Sequence, residues 1–279
     1  GLAADVREYG RWIRDEAERR IGHLYPKITV PGGTEHTVIA WKWARTVRSP
    51  NPANPIETPL VNSWWLSKKK GKEAWVRAAV ENGKVRYEVV HNADGPTGED
   101  DGTRVGRGAM SIADGTPISS EYIKAEGSAN RIGAHMIGIV AEGERGRVYI
   151  SPNSLHINAA CIERPADIPN EELPYDPRTL WTPSYGLTKF SDLFTNRQLV
   201  ALTTLSDLVG EAREKILADA LAAGTPEGER LEKGDTGAAA YADAVATYLA
   251  LAVSRTADYC NALCTWNTER DTVTHLFAR

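Results

Sequence analysis

AWVRAAVENGKVRYEVV, residues 74–90, holds two runs rich in valine and aromatic side chains around Glu81-Asn82-Gly83-Lys84. Such side chains suit a pleated, half-buried surface, and Asn-Gly suits the two left-handed positions of a tight hairpin turn. The stretch therefore predicts a β-hairpin. Working outward, TVIAWKWARTV (37–47) and PLVNSWWLSK (59–68) have the same β-branched and aromatic character. HMIGIVAEGERGRVYISPN (135–153) predicts another hairpin, turning between Gly143 and Gly146. NADGPTGEDDGT (92–103) is polar, rich in glycine, and reads as a mobile loop. Residues 37–152 thus form a β-rich module.

The flanks have a different period. Val6, Tyr9, Ile13, Ala17, Ile21 and Leu24 recur every three or four residues, predicting an amphipathic helix over 3–24 that Pro26 ends. Residues 165–185 are proline-rich and irregular. Thr195 and Gln198 then make a capping-box pattern ahead of LVALTTLSDLVGEAREKILADALA (199–222), a long helix. A charged break, GTPEGERLEKGDTG (224–237), separates it from AAAYADAVATYLALAVSRTADYCNALCTW (238–266). That last run predicts a second long helix, apolar on most faces and buried against several neighbours. The expected fold class is α+β: an N-terminal helix and linker (1–36), the β-rich module (37–152), and an irregular segment with long helices (153–279).

Bulk composition narrows the function classes. The 279 residues are 42% hydrophobic and 25% charged, which excludes wholesale disorder, and the net charge of −4 points to neither a nucleic-acid nor a membrane partner by itself. No apolar run approaches the roughly 18–20 residues that span a bilayer, and GLAADVREYGRW lacks the order of a signal peptide. Cys161, Cys260 and Cys264 suggest no disulfide framework. A cytoplasmic location is expected. A chain running from Gly1 to HLFAR also reads as a piece of a longer polypeptide.

Common catalytic strings are missing. There is no GxxxxGK[ST], HExxH, GxSxG or GxGxxG. Residues 51–55 (NPANP) and 174–177 (PYDP) are the nearest strings to an amino-methylating loop, and neither fits. No catalytic or cofactor-binding residue is assigned, and the chain is expected to be inactive alone. The six histidines are scattered without ligand spacing, and Cys260 and Cys264 read as buried small residues.

Charge is distributed unevenly. Between His36 and Arg77, eight cations (Lys42, Arg45, Arg48, Lys68, Lys69, Lys70, Lys72 and Arg77) against Glu57 and Glu73 leave a local +6. Five of the eight tryptophans, Trp41, Trp43, Trp64, Trp65 and Trp75, share that window. Basic side chains release counterions from phosphates, and flat rings stack on unpaired bases. The tryptophans fit a thin β core better than base stacking. For the lysines, phosphate contact and a solvated face both stay open.

Five stretches together carry a resemblance: ADVREYGRWIRDEAERRIGHLYP (4–26), TVIAWKWARTVRSPNP (37–52), PLVNSWWLSKKKGKEAWV (59–76), YGLTKFSDLFTNRQLVALTTLSDLV (185–209) and YADAVATYLALAVSRTADY (241–259). The chain resembles an internal segment of large bacterial adenine-specific DNA methylases that carry an N-terminal conserved domain of unknown function, some encoded among phage-defence genes. The resemblance implies that this segment lies between an upstream S-adenosylmethionine loop and a downstream Asp-Pro-Pro-Tyr loop. Adenine-N6 methylation, with S-adenosylmethionine as cofactor, would then belong to the parent polypeptide.

It further implies a four-cysteine zinc ribbon in relatives, with Ser49, Asn54, Ser111 and Asp114 at the matching positions here. Two hydroxyls, an amide and a carboxylate are a poor tetrahedral zinc set, so a ribbon-like module lacking its cysteines and its metal is expected. The implied role is a DNA-contacting, target-recognition insert. Arg45, Arg48, Lys68, Lys69, Lys70, Lys72 and Arg77 would meet phosphates, and Trp64 or Trp65 a base. The alternative is a scaffold whose helices bind the rest of the methylase or a defence-system protein.

Overall fold

A computed structural model describes residues 1–30, 33–96, 101–174, 176 and 181–276. The loop expected over 92–103, the irregular stretch 165–185, the PYDP string and the HLFAR end each lie partly outside the described residues. Helix α1 (Leu2–Ile21) follows the predicted period and buries Ile13 and Ala17. A 3-10 turn, Gly22–Leu24, completes the expected span. Two short strands follow, β1 (Ile28–Thr29) and β2 (Glu35–His36), and then the long β3 (Val38–Arg48).

Next come β4 (Glu57–Pro59), β5 (Trp65–Ser67), β6 (Ala74–Glu81) and β7 (Lys84–Val90). Strands β6 and β7 are the predicted hairpin. Glu81 pairs with Lys84 across a turn in which Asn82 (φ 50°) and Gly83 (φ 74°) are both left-handed. The chain continues through β8 (Arg104–Val105), β9 (Gly108–Met110), β10 (Pro117–Ile118) and a short helix α2 (Ser120–Ser128). The second predicted hairpin is β11 (Gly133–Gly143) with β12 (Gly146–Ile150), turning where expected.

Among the described residues, all strand pairs are antiparallel. The largest sheet has the order β12-β11-β3-β4, and the next is β5-β6-β7. Their facing sides enclose one core, built on Ala44, Trp64, Leu66, Val76, Ile137 and Val140. On the other face, Ile28, Met136, Ile139 and Ala141 make a second cluster. At its Arg48 end, β3 packs Val47 against Ala109, Ile118 and Ile123, from the β8–β10 sheet and α2.

After the short helix α3 (Ser154–Ala160) come α4 (Asn196–Ala222) and α5 (Ala238–Tyr259). The predicted capping box begins α4: Thr195 Oγ1 accepts from Gln198 N, and Gln198 Oε1 accepts from Thr195 N at 2.8 Å. Leu208, Ala212 and Ile216 of α4 pack with Ala242, Val245 and Leu249 of α5 and with Ile13 of α1. The first and last helices of the chain therefore share one core.

The expected helix over 238–266 is corrected on two counts. It stops at Tyr259 because Asn261, itself buried, turns its side-chain amide onto the carbonyls of Ala257 and Asp258. Residues 265–266 belong instead to a hairpin, β13 (Thr265–Asn267) with β14 (Thr272–Thr274), which returns to the β module. There Trp266 Nε1 donates to Leu66 O at 2.7 Å. Nor is α5 covered on most faces, since Tyr248 and Leu251 are 53% and 61% exposed. Among the described residues, no helix is long and apolar enough to cross a membrane.

Candidate nucleic-acid interface

Lysines 68, 69, 70 and 72 stand on the exposed turn between β5 and β6. Tight turns from elsewhere in the chain close around it. Lys72 Nζ donates to the carbonyl of Arg145 on the β11–β12 turn. Lys69 Nζ lies 2.8 Å from the buried carboxylate of Asp271 and 3.4 Å from Arg270 O, at the β13–β14 turn. Lys68 stands 5.6 Å from the Trp65 ring centroid and 3.8 Å from Asp101. Lys70 is exposed and makes no ion pair among the described residues. Arg145 and Arg270 add exposed positive charge, while Glu73, Glu144 and Glu269 on the same turns offset part of it. The local excess seen in sequence is thus diluted in space.

The remaining basic residues of the window separate. Arg48 is exposed at the end of β3 without an ion pair among the described residues. Arg77 pairs with its cross-strand neighbour Glu88 at 3.2 Å and stands 5.6 Å from the Trp75 ring centroid. Lys42 is turned inward: its Nζ donates to Trp65 O at 2.9 Å, and burial pulls its pKa down to about 8 against the opposing charge of Asp101. Trp64 and Trp75 are buried; Trp64, expected as a base contact, is corrected to a core residue packed with Leu66, Val76 and Ile137. Trp65 is partly buried, with Gly95 so close beneath it that an added Cβ would lie 2.3 Å from the ring.

Ser49, Asn54, Ser111 and Asp114 come together although about 60 residues separate the two pairs. Asn54 Nδ2 donates to Asp114 Oδ2 at 3.1 Å, and Asn51 Nδ2 reaches the same oxygen at 2.7 Å. Ser49 Oγ accepts from Asn51 N, and Ser111 Oγ accepts from Ala113 N. Backbone and side-chain hydrogen bonds from Thr116 hold the Asp114 carboxyl well below the usual carboxylate range. The set is a polar knot between two loops. Among the described residues, no group of three or more His, Cys, Asp or Glu is placed to hold a metal ion, and the three cysteines are free.

Arg45 turns away from the lysines. With Trp43 and Leu60 it lines a cavity of about 380 Å³ closed by Arg104, α2 and residues 181–187. No acidic side chain lines this cavity among the described residues. Sequence reading missed Arg104, Trp181, Thr182 and Tyr185. No local signal marked them, because they meet Arg45 only through the packing of α2 and the 3-10 turn Thr182–Tyr185.

Two other clusters complete the polar anatomy. The Tyr87 hydroxyl and His135 Nδ1 are 2.9 Å apart, and His135 Nε2 lies 3.1 Å from Glu57. Burial, reinforced by Glu57, pushes the Tyr87 phenol above its ordinary range. Behind the sheet, Trp41 Nε1 donates to His156 Nδ1 at 2.9 Å. Comparison with known proteins returns no match among family models, curated proteins or solved structures.

Proposed function

We propose that this chain is a non-catalytic, DNA-contacting insert of a bacterial adenine-N6 DNA methyltransferase, with methyl transfer and S-adenosylmethionine binding left to the parent polypeptide. The observation that carries the DNA contact is the β5–β6 turn. It presents Lys68, Lys70 and Lys72 at an exposed tip, next to Arg145 and Arg270 from two other turns. Positive side chains on rigid hairpin turns suit backbone phosphates, which position a protein without reading sequence. Asp271 holds Lys69 back, so Lys70 leads the contact. The knot at Ser49, Asn54, Ser111 and Asp114 supports reading the β module as a zinc ribbon in which hydrogen bonds stand where thiolates and metal would otherwise join two loops.

Fluorescence anisotropy with a labelled duplex at two salt concentrations tests the proposal. Binding should weaken steeply with salt, and K68E/K70E/K72E should weaken it and flatten the salt slope by about three phosphate contacts. No binding at low salt, or unchanged binding by the triple variant, removes the turn from any interface.

A second reading, a scaffold for the rest of the methylase or a defence-system protein, is favoured by α5. Its exposed Tyr248, Leu251 and Tyr259 fall within one narrow arc of the helix. Light scattering that shows self-association, abolished by Y248E/L251E, would support it. A monomer with unchanged hydrodynamics would count against it.

A further inference from the structure

We propose that the cavity between β3, α2 and the 3-10 turn Thr182–Tyr185 binds a nucleoside phosphate, with its ring against the aromatic wall and its phosphate on Arg45 and Arg104. The two arginines carry the charge side of the inference. Arg45 is half-buried and forms no ion pair or side-chain hydrogen bond among the described residues. Arg104 donates from one terminal nitrogen to Arg107 O at 3.1 Å, but its Nε is buried without a partner. Thr182, lining the same cavity, likewise has its Oγ1 buried and unpartnered. Buried polar atoms are nearly always paired, and a guanidinium does not shed its proton to escape burial. Arg104, with its buried and unpartnered Nε, and Arg45, without an ion pair, line one cavity that has no carboxylate among the described residues, and this matches an anion.

The walls decide which anion. Trp43, Tyr185 and Trp181 line the same space with Leu60 and Ile123, far more apolar surface than a bare phosphate would cover. Trp181 lines the cavity while 58% exposed, so it stands at the cavity's rim. Lys124 stands 5.8 Å from the Tyr185 ring centroid, adding positive charge beside the wall. A volume of about 380 Å³ lies within the range of roughly 300–1,000 Å³ typical of small-molecule sites. A planar ring stacks on aromatic faces, and its phosphate takes paired hydrogen bonds from guanidinium groups. A free nucleotide and an unstacked nucleotide of a strand share this chemistry.

The inference is independent of the lysine turn: duplex binding through Lys70 can fail while the cavity still binds, and the reverse also holds. The full chain is titrated calorimetrically with the four deoxynucleoside monophosphates, deoxyadenosine, inorganic phosphate and a short single-stranded oligonucleotide. At least one monophosphate should bind about tenfold or more tightly than either deoxyadenosine or phosphate alone. R104Q and W181A should each weaken that binding about tenfold, with circular dichroism unchanged. Tighter binding of the oligonucleotide identifies a strand as the source, and tighter binding of the monophosphate identifies a free nucleotide. R45Q should weaken monophosphate binding likewise, and if R45Q fails to fold, W181A at an exposed side chain still decides. Absence of monophosphate binding up to millimolar concentration, equal binding of inorganic phosphate, or indifference to R104Q and W181A overturns the proposal.

Discussion

The guanidinium carbon of Arg197, in the first turn of α4, lies 4.2 Å from the ring centroid of Trp41 in β3. Arg197 also stands 5.0 Å from the Tyr25 ring and donates to Leu24 O at 3.0 Å. Through this one side chain, the start of α4, the end of the α1 segment and the largest sheet are held together. Arg197→Ala removes the cation–ring contact and a hydrogen bond to backbone, so a loss of about 2 kcal/mol is expected. Urea denaturation measures it; a midpoint within error of wild type would show that the contact contributes nothing net.

The same cluster gives the protein a pH dependence. A tryptophan N–H only donates, so His156 Nδ1 accepts and the ring is neutral with its proton on Nε2. Burial first, and the Arg197 charge second, lower its pKa below the ordinary 6.5. The unfolded chain therefore takes up this proton before the folded one does. The contribution is fully present above about pH 6.5 and is lost as pH falls through the lowered folded-state value. Denaturation midpoints should drop below pH 6.5 in the wild type and drop less in His156→Gln. Parallel pH profiles for the two proteins would sink the assignment.

Gly127 and Gly224 should respond differently to alanine. At Gly127 a Cβ would meet the backbone oxygen of Tyr185 at 2.4 Å, so α2 and the cavity wall would have to separate. A loss of about 2 kcal/mol, with weakened nucleotide binding, is expected from that overpacking. At Gly224 the space is open and only the left-handed φ of 86° resists, which costs about 1 kcal/mol. Thermal melts of G127A and G224A check the order, and a larger loss at Gly224 would contradict it.

The polar knot makes a constructive prediction. Replacing its four members, S49C/N54C/S111C/D114C, should create a thiolate set that takes up one zinc per chain and raises the melting temperature in a chelator-sensitive way. Metal analysis of the untagged variant beside wild type gives the answer. A folded quadruple variant without zinc would end the ribbon reading of the β module.

How much of this was legible in the sequence follows the range of the interactions involved. The Asn82-Gly83 hairpin, the Thr195–Gln198 capping box and the buried period of α1 were readable, since each depends on residues within a few positions of one another. A general preference of the tryptophans for the core was also readable, from the large apolar area of tryptophan in a β-rich segment, but not that Trp64, offered as a base contact, is buried while Trp65 is only partly so. The stop of α5 was not. Helical period runs through Asn261, and its capping role depends on its side chain being buried where its amide meets the helix carbonyls and its oxygen accepts from Leu263 N.

Sequence by itself therefore determined the α+β class, the first helix, the start of α4 and the two hairpin turns at Asn82-Gly83 and Gly143–Gly146, because backbone hydrogen bonding and apolar periodicity are local; the short helices α2 and α3 and the β13–β14 hairpin were not legible in it. Tertiary structure alone decided which charges survive as free ones. Lys69 is spoken for by Asp271, some 200 residues away, and Lys42 is turned inward to Trp65. Arg45, grouped with the lysines by sequence, instead lines one cavity with Arg104, which no local signal marked. Charge at a surface is a sum over space, and neighbours in space are set by sheet register and helix packing rather than by position in the chain.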